Sequence, residues 1–301
     1  MKMNYEEFKE MLKTALEERF EGKANVYFKT IVKRNDVNKE SLVIEKTEED
    51  GVPTISLTEL YEIYSETRNF EHCLRVVQDI CLEKPIFDIK DLLMTWEEAR
   101  ERIQMRLVKK EWNTKKLEHV PYQEYLDFAV VFYVVIGEDN EMITAYQVNN
   151  EMAKRWGVGL DELWATAREN LEKEQFFIKV MEALLDNISE GKFGEEEMEG
   201  NQCVKLMYVM SNEGNNHGAR VVLRKDILRE LANEKGRNLY LLPASVHEWI
   251  LCIDNGRLDV QAMKWIVHEV NRNPRVIRPE ECLSDSVYYY DREQNEVRIV
   301  A

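Results

Sequence analysis

The run Phe128–Ile136, FAVVFYVVI, constrains the fold more than any other part of the chain. It lacks the apolar–polar alternation of a half-exposed strand and is far shorter than the ~20 residues of a membrane span. It predicts a strand buried on both faces. Such a strand needs partners, and the following residues supply one. Gly137–Asn140 reads as a turn, and Ile143–Val148 returns as a hairpin strand. Asn149 or Asn150 then caps a short helix through Trp156 that stops at Gly157, and Leu160, Leu163, Trp164, Ala167 and Leu171 mark an amphipathic helix. Phe176–Ile188 is expected to be a further helix.

The pattern then repeats in outline. Val204–Met210 reads as a strand, Ser211–Gly218 (SNEGNNHG) as a turn, Ala219–Leu223 as the returning strand, and Asp226–Lys235 as a helix closed by Gly236. Leu239–Leu242 and Trp249–Ile253 are further strand candidates. Asp259 caps a helix through Val270, and Val287–Tyr290 with Glu296–Val300 form a hairpin. Two β-β-α units of this kind predict an α+β fold, with an antiparallel or mixed sheet and helices packed on it. The units share no residue-level similarity, so no duplication is inferred.

The N-terminal part adds a helix and a small sheet. Tyr5, Phe8, Leu12, Ala15, Leu16 and Phe20 recur at helical spacing over residues 4–20. Val26–Val32, Leu42–Ile44 and Thr54–Leu57 read as strands. Ser56 and Glu59 have the spacing of a capping box that opens a helix around Leu60–Tyr64. Phe70–Leu82 is a second helix, with Cys73, Leu74, Val77, Ile80 and Cys81 on its apolar side. Trp96–Ile103 looks helical and Gln104–Val108 extended, while KKEWNTKKLEHVP (109–121) reads as a polar surface connection. A soft boundary falls there. It separates an N-terminal α+β region, 1–110, from a main α+β domain, 111–301, the two forming one integrated unit.

Composition narrows the function. Of 301 residues, 41 are Lys or Arg and 57 Asp or Glu, a formal charge of −16. A chain this acidic repels phosphate backbones and anionic lipid on average. That argues against nucleic-acid and membrane partners and permits a basic protein partner. It also leaves room for an acidic nucleic-acid mimic. The five cysteines are odd in number and include no C-x-x-C pair, which fits free thiols in a reducing cytoplasm. Acidic residues occupy the N-terminus where a signal peptide needs an apolar stretch. No G-x-G-x-x-G, P-loop or G-x-S-x-G is present, so no cofactor is expected.

Two segments carry candidate chemistry. In Asn238–Asp254, NLYLLPASVHEWILCID, the adjacent His247 and Glu248 sit between two apolar runs. They could act as a hydrolase acid/base pair, with Ser245 as a third catalytic residue. On a regular strand, however, neighbours point to opposite faces. If a helix starts here, Ser245-Val-His-Glu248 instead fits a capping box, with structural roles for Ser245 and Glu248. His247 lacks an H-E-x-x-H partner, because position 251 is Leu, and no metal site is expected. The second segment is Leu283–Asp291, LSDSVYYYD. Asp285, Tyr288, Tyr289 and Tyr290 are candidate binding residues, since tyrosine gives contact area and a polar tip together. The plainer reading is a half-buried strand. Trp156, Trp164, Trp249 and Trp265 are expected in the core. His217, His268–Glu269 and the acidic run Glu195–Glu199 carry weaker signals.

Several blocks occur in a familiar order: NYEEFKE, VPYQEYLDFAVVFYVVI, NNEMAKRWGVGLDELWATARENL, NLYLLPASVHEWIL and LSDSVYYYDRE. The chain resembles an uncharacterised domain-of-unknown-function family of anaerobic Gram-positive gut bacteria, often linked to mobile elements. The resemblance covers nearly the whole length and implies a bacterial cytoplasmic protein with an accessory role. It brings no catalytic residues with it. Together these readings favour a non-enzymatic protein-binding or accessory protein over a hydrolase or a nucleic-acid mimic.

Overall fold

The structure is a computed structural model that describes residues 3–20, 23–46, 54–82, 94–138, 143–181 and 207–301. It is α+β, and every strand pairing in it is antiparallel. The chain divides into two compact units. One comprises residues 1–95 with 136–144, the other residues 96–135 with 145–301.

In the first unit, helix α1 (Tyr5–Phe20) precedes a three-stranded sheet of β1 (Ala24–Val32), β2 (Asn38–Lys46) and β3 (Thr54–Ser56), in that order. Phe8, Leu12 and Leu16 are the buried stripe of α1. They join Val26, Leu42 and Ile44 in one core with α2 (Leu57–Thr67) and α3 (Phe70–Leu82). The Ser56 hydroxyl accepts the Glu59 N–H, as the capping spacing predicts.

β6 (Phe128–Glu138), whose residues 128–135 belong to the second unit, is the central strand of a four-stranded sheet. It is flanked by β4 (Ile103–Lys109) and β5 (Tyr122–Tyr125), and its hairpin partner is β7 (Ile143–Gln147). Phe128 to Phe132 are all fully buried, which is why the run contains no polar residue. The short helices α4 (Trp96–Ala99) and α5 (Thr114–Leu117) flank β4 in the chain. Asn149 caps α6 (Asn150–Trp156), which Gly157 closes at φ 73°, and α7 (Leu160–Lys173) follows. A six-stranded sheet runs β13-β12-β10-β11-β9-β8. Its strands are β8 (Phe176–Val180), β9 (Met207–Asn212), β10 (Leu239–Pro243), β11 (Trp249–Ile253), β12 (Tyr288–Asp291) and β13 (Glu296–Ile299). Helices α8 (Lys225–Lys235) and α9 (Val260–Asn271) complete the unit.

Three expectations are corrected. Phe176–Val180 is a strand paired with β9, not the start of a helix: α7 ends at Lys173, Glu174 is already extended, and FFIKV forms the sheet edge; residues 182–188 lie outside the described residues. Ala219–Leu223 is not a returning strand but part of a 3₁₀ turn, Gly218–Leu223, buried throughout. A short apolar run does not distinguish a buried strand from a buried helical turn. β9 pairs instead with β8 and β11, so only the first β-β-α unit exists as such. The segment 109–121 is not simply a surface connection. Lys109 and Asn113 are buried, and the Asn113 amide donates to the Lys109 carbonyl at 2.8 Å. Expectations for 189–202 fall outside the described residues.

Candidate functional site: the hairpin turn and its groove

β10 and β11 pair from Leu239↔Ile253 to Pro243↔Trp249, so Ala244–Glu248 is the hairpin turn. Ser245 and Glu248 exchange backbone hydrogen bonds across it, at 3.2 and 3.4 Å. The Ser245 hydroxyl accepts the His247 N–H at 3.0 Å. The capping-box geometry is therefore not formed: Ser245 Oγ takes the His247 N–H instead of that of Glu248, and the two residues meet through backbone groups in a turn between strands.

The turn is fixed from both sides. The Val246 N–H donates to the Glu281 carbonyl at 2.9 Å, and the Ala219 N–H to the Val246 carbonyl at 3.2 Å. The Ser211 hydroxyl donates to the His247 carbonyl at 2.7 Å. The His217 N–H donates to His247 Nδ1 at 3.1 Å, and the two imidazoles lie 5.4 Å apart. A neutral ring that accepts at Nδ1 carries its proton on Nε2, opposite to what a general base needs there.

Gly218 lets these backbones approach. A Cβ there would sit 2.5 Å from the His247 carbonyl oxygen and 2.7 Å from the Asn212 nitrogen. Beneath lies a buried ion pair. Arg220, fully buried, donates from Nε to Glu174 at 2.8 Å and pairs with it again through Nη2. Its Nη1 donates to the His217 carbonyl at 2.7 Å.

His247, Glu248 and Ser245 all line one groove of ≈ 370 Å³. Its walls are apolar. Leu242, Pro243 and Ile250 come from the hairpin, Ile266, Val267 and Val270 from α9, and Val276 and Ile277 from the loop beyond. Glu281 is the fourth polar lining residue. Burial pushes the Glu248 carboxyl above the usual carboxylate range. Ile266 is 51 % exposed and Val276 64 %. Trp265, expected in the core, is 64 % exposed on α9, while Trp249 is fully buried and donates from Nε1 to the Ala219 carbonyl. The apolar periodicity that α9 shares with a core helix hid the position of Trp265.

The second candidate segment lies elsewhere in the same unit. Burial alternates along β12, with Tyr288 and Tyr290 fully buried and Tyr289 half-buried. Any surface role of the triplet narrows to Tyr289, whose hydroxyl donates to Asp254 at 2.7 Å. Asp285 accepts from the Asn271 amide at 2.6 Å. Tyr288 enters a polar network that sequence reasoning missed. Its hydroxyl lies 2.6 Å from Asp127 and 2.8 Å from the Ser284 hydroxyl. Lys109 pairs with Asp127 and donates to Ser284 and Ser286 at 3.3 Å each. Burial, and then the charge of Asp127, drives the Tyr288 hydroxyl far up. Phe128 stacks on Tyr288, and Trp249 meets its edge. Lys109 and Ser284 are 175 residues apart, so no local spacing signalled this network.

Among the described residues, no group of three or more His, Cys, Asp or Glu is placed to hold a metal ion. Cys73, Cys252 and Cys282 are buried, and burial pushes the Cys282 thiol up to about 11. No helix among the described residues is long and apolar enough to cross a membrane.

Fold and groove together define an α+β protein with antiparallel sheets and an apolar, acid-rimmed groove beside a hairpin turn. The chain belongs to a family of unknown function, DUF5688, whose model matches residues 5–292. No curated protein and no solved structure matches it.

Proposed function

We propose that this is a non-enzymatic protein-binding or accessory protein of the cytoplasm that engages its partner through the groove beside the β10–β11 turn. One observation carries the reading: the apolar walls of the groove end in large exposed side chains, Ile266 and Val276. Apolar surface of this kind, rimmed by polar residues, marks interaction sites. The roles of Ser245 and His247 in holding backbone support binding over catalysis. The resemblance to proteins linked with mobile elements of gut bacteria gives the accessory role its context.

The test is capture of a partner from source cells, followed by its identification and rebinding as a purified protein. Ile266→Asp and Val276→Asp should abolish rebinding without unfolding the chain, since both side chains are exposed. Rebinding by both variants at wild-type strength would refute the reading.

A hydrolase using His247 and Glu248, with Ser245, keeps one observation in its favour: all three line the same groove. That reading requires turnover of ester or amide substrates that His247→Ala abolishes.

A further inference from the structure

Residues 213–217 join β9 to the 3₁₀ turn, and two of them, Asn215 (φ 46°) and His217 (φ 52°), sit in the left-handed region. A residue with a side chain stays there only where its surroundings hold it. Asn216 is held by the Asn212 side chain, at 3.0 and 3.1 Å, and by Arg220 Nη1 at 3.2 Å. Arg220 holds the His217 carbonyl as well. Neither an amide nor a guanidinium changes charge near neutral pH. The His217 N–H is held differently, because it donates to an imidazole nitrogen, Nδ1 of His247, at 3.1 Å.

That nitrogen accepts only through its lone pair. A proton bound there turns the acceptor into a donor, and two N–H groups then face each other. The His217 imidazole, 5.4 Å away between ring centroids, adds like charge once it is protonated too. On the turn and the loop that walls the groove, Glu248 and Glu281 share the groove with His247 and offset the charge it gains. Arg220 is already neutralised by Glu174. Ser211 and Asn212 on β9 carry no charge, and α9 turns Ile266, Val267 and Val270 to the groove. Glu213 is exposed on the 213–217 segment, and Arg278 and Glu280 precede Glu281, whose carbonyl accepts the Val246 N–H.

We propose that His247 is an acid-sensitive latch. When its Nδ1 takes up a proton, the ring lets go of the His217 amide and residues 213–217 loosen from the hairpin turn. The unfolded chain binds that proton freely near pH ~6.5, whereas the folded chain gives up a hydrogen bond to bind it. The latch is therefore closed above that range and opens as pH falls through it. It operates whether or not a partner occupies the groove.

Amide hydrogen exchange of the full chain tests the proposal, with each rate divided by the intrinsic rate at the same pH. Between about pH 7.5 and about pH 5, exchange at the His217 amide should rise roughly fivefold to tenfold, about what one hydrogen bond contributes. In His247→Asn the side-chain oxygen takes the place of Nδ1 and accepts without titrating, so exchange there should stay flat. His217→Asn should keep the rise, since it removes the second imidazole and leaves the latch. Nitrogen NMR of the wild-type ring, which needs no variant, should show the Nε2–H form at about pH 7.5. A flat wild-type profile, an Nδ1–H ring, or a rise shared by His247→Asn would overturn the proposal, the last by placing the titrating group on a carboxylate. Exchange that rises equally along β9 and β11 would report general unfolding and overturn it as well.

Discussion

Gly218→Ala tests how the hairpin turn is held against its neighbours. A Cβ at this position meets the Ser211 hydroxyl oxygen at 2.3 Å, the His247 carbonyl oxygen at 2.5 Å and the Asn212 nitrogen at 2.7 Å. All three distances are shorter than carbon tolerates. Two of the three atoms are backbone, so no rotamer change relieves them. Overpacking costs about 1–3 kcal/mol where side chains can shift. Here the backbone of the 3₁₀ turn must move away from the hairpin, which also weakens the Ala219–Val246 and His217–His247 hydrogen bonds. The cost should therefore reach about 3 kcal/mol or more. For a unit of roughly 150–250 residues, each kcal/mol lowers Tm by about 2–4 °C, so the expected drop is about 6–12 °C. Thermal melts of the purified chain measure it. Ser211→Ala in the same background removes the hydroxyl clash together with the Ser211–His247 hydrogen bond, and the double variant should stay at least nearly as unstable. A Gly218→Ala protein within about 0.5 kcal/mol of the wild type would refute the close approach. Full rescue by Ser211→Ala would place the clash in a side chain alone.

Three further outcomes follow from the same unit. Tyr288→Phe leaves Asp127 and Ser284 short of a buried partner and should cost about 1–3 kcal/mol in denaturant unfolding; a change below about 0.5 kcal/mol would count against the network. Glu174→Gln strips the charge partner from fully buried Arg220 and should cost about 3 kcal/mol, the low end for a buried pair because Glu174 is partly exposed. Glu124→Gln, at the exposed Lys110 pair, should cost no more than about 1 kcal/mol, and equal effects would contradict the burial argument. Glu248→Gln should stabilise the protein at neutral pH. Burial raises the folded carboxyl above its unfolded value, so its ionised form opposes folding. That opposition is present at high pH, fades as pH falls through the raised folded value, and is gone below the unfolded value near ~4.3. Melts across pH should show the variant's advantage shrinking on acidification; an advantage that grows instead would reverse the assigned sign.

The parts of the fold legible in the sequence are those written in local contacts. Ser56, Asn149 and Asp259 cap helices because a short oxygen-bearing side chain reaches an N–H two or three residues on. Gly157 and Gly236 end helices at positive φ, which glycine adopts without strain. Leu239–Leu242 and Trp249–Ile253 read as strand candidates and are strands; that they pair with each other across a turn is what the structure adds. Periodicity failed where burial is complete. Ala219–Leu223 is apolar enough for a strand but is a 3₁₀ turn, and Arg220 inside it pairs with Glu174, 46 residues away.

The candidate site divides along the same line. The sequence alone determined that Ser245, His247 and Glu248 fall between two buried strands, because the hydrophobic pattern on either side is local. Only the tertiary structure decided what surrounds them. Residues 266–281 supply the far wall of the groove, Gly218 admits the backbone of the turn, and the buried Tyr288 meets Asp127. The physical reason is distance along the chain. Caps and turns are settled within a few residues, whereas a cavity or a buried polar network is set by packing among segments whose separation carries no periodic signal.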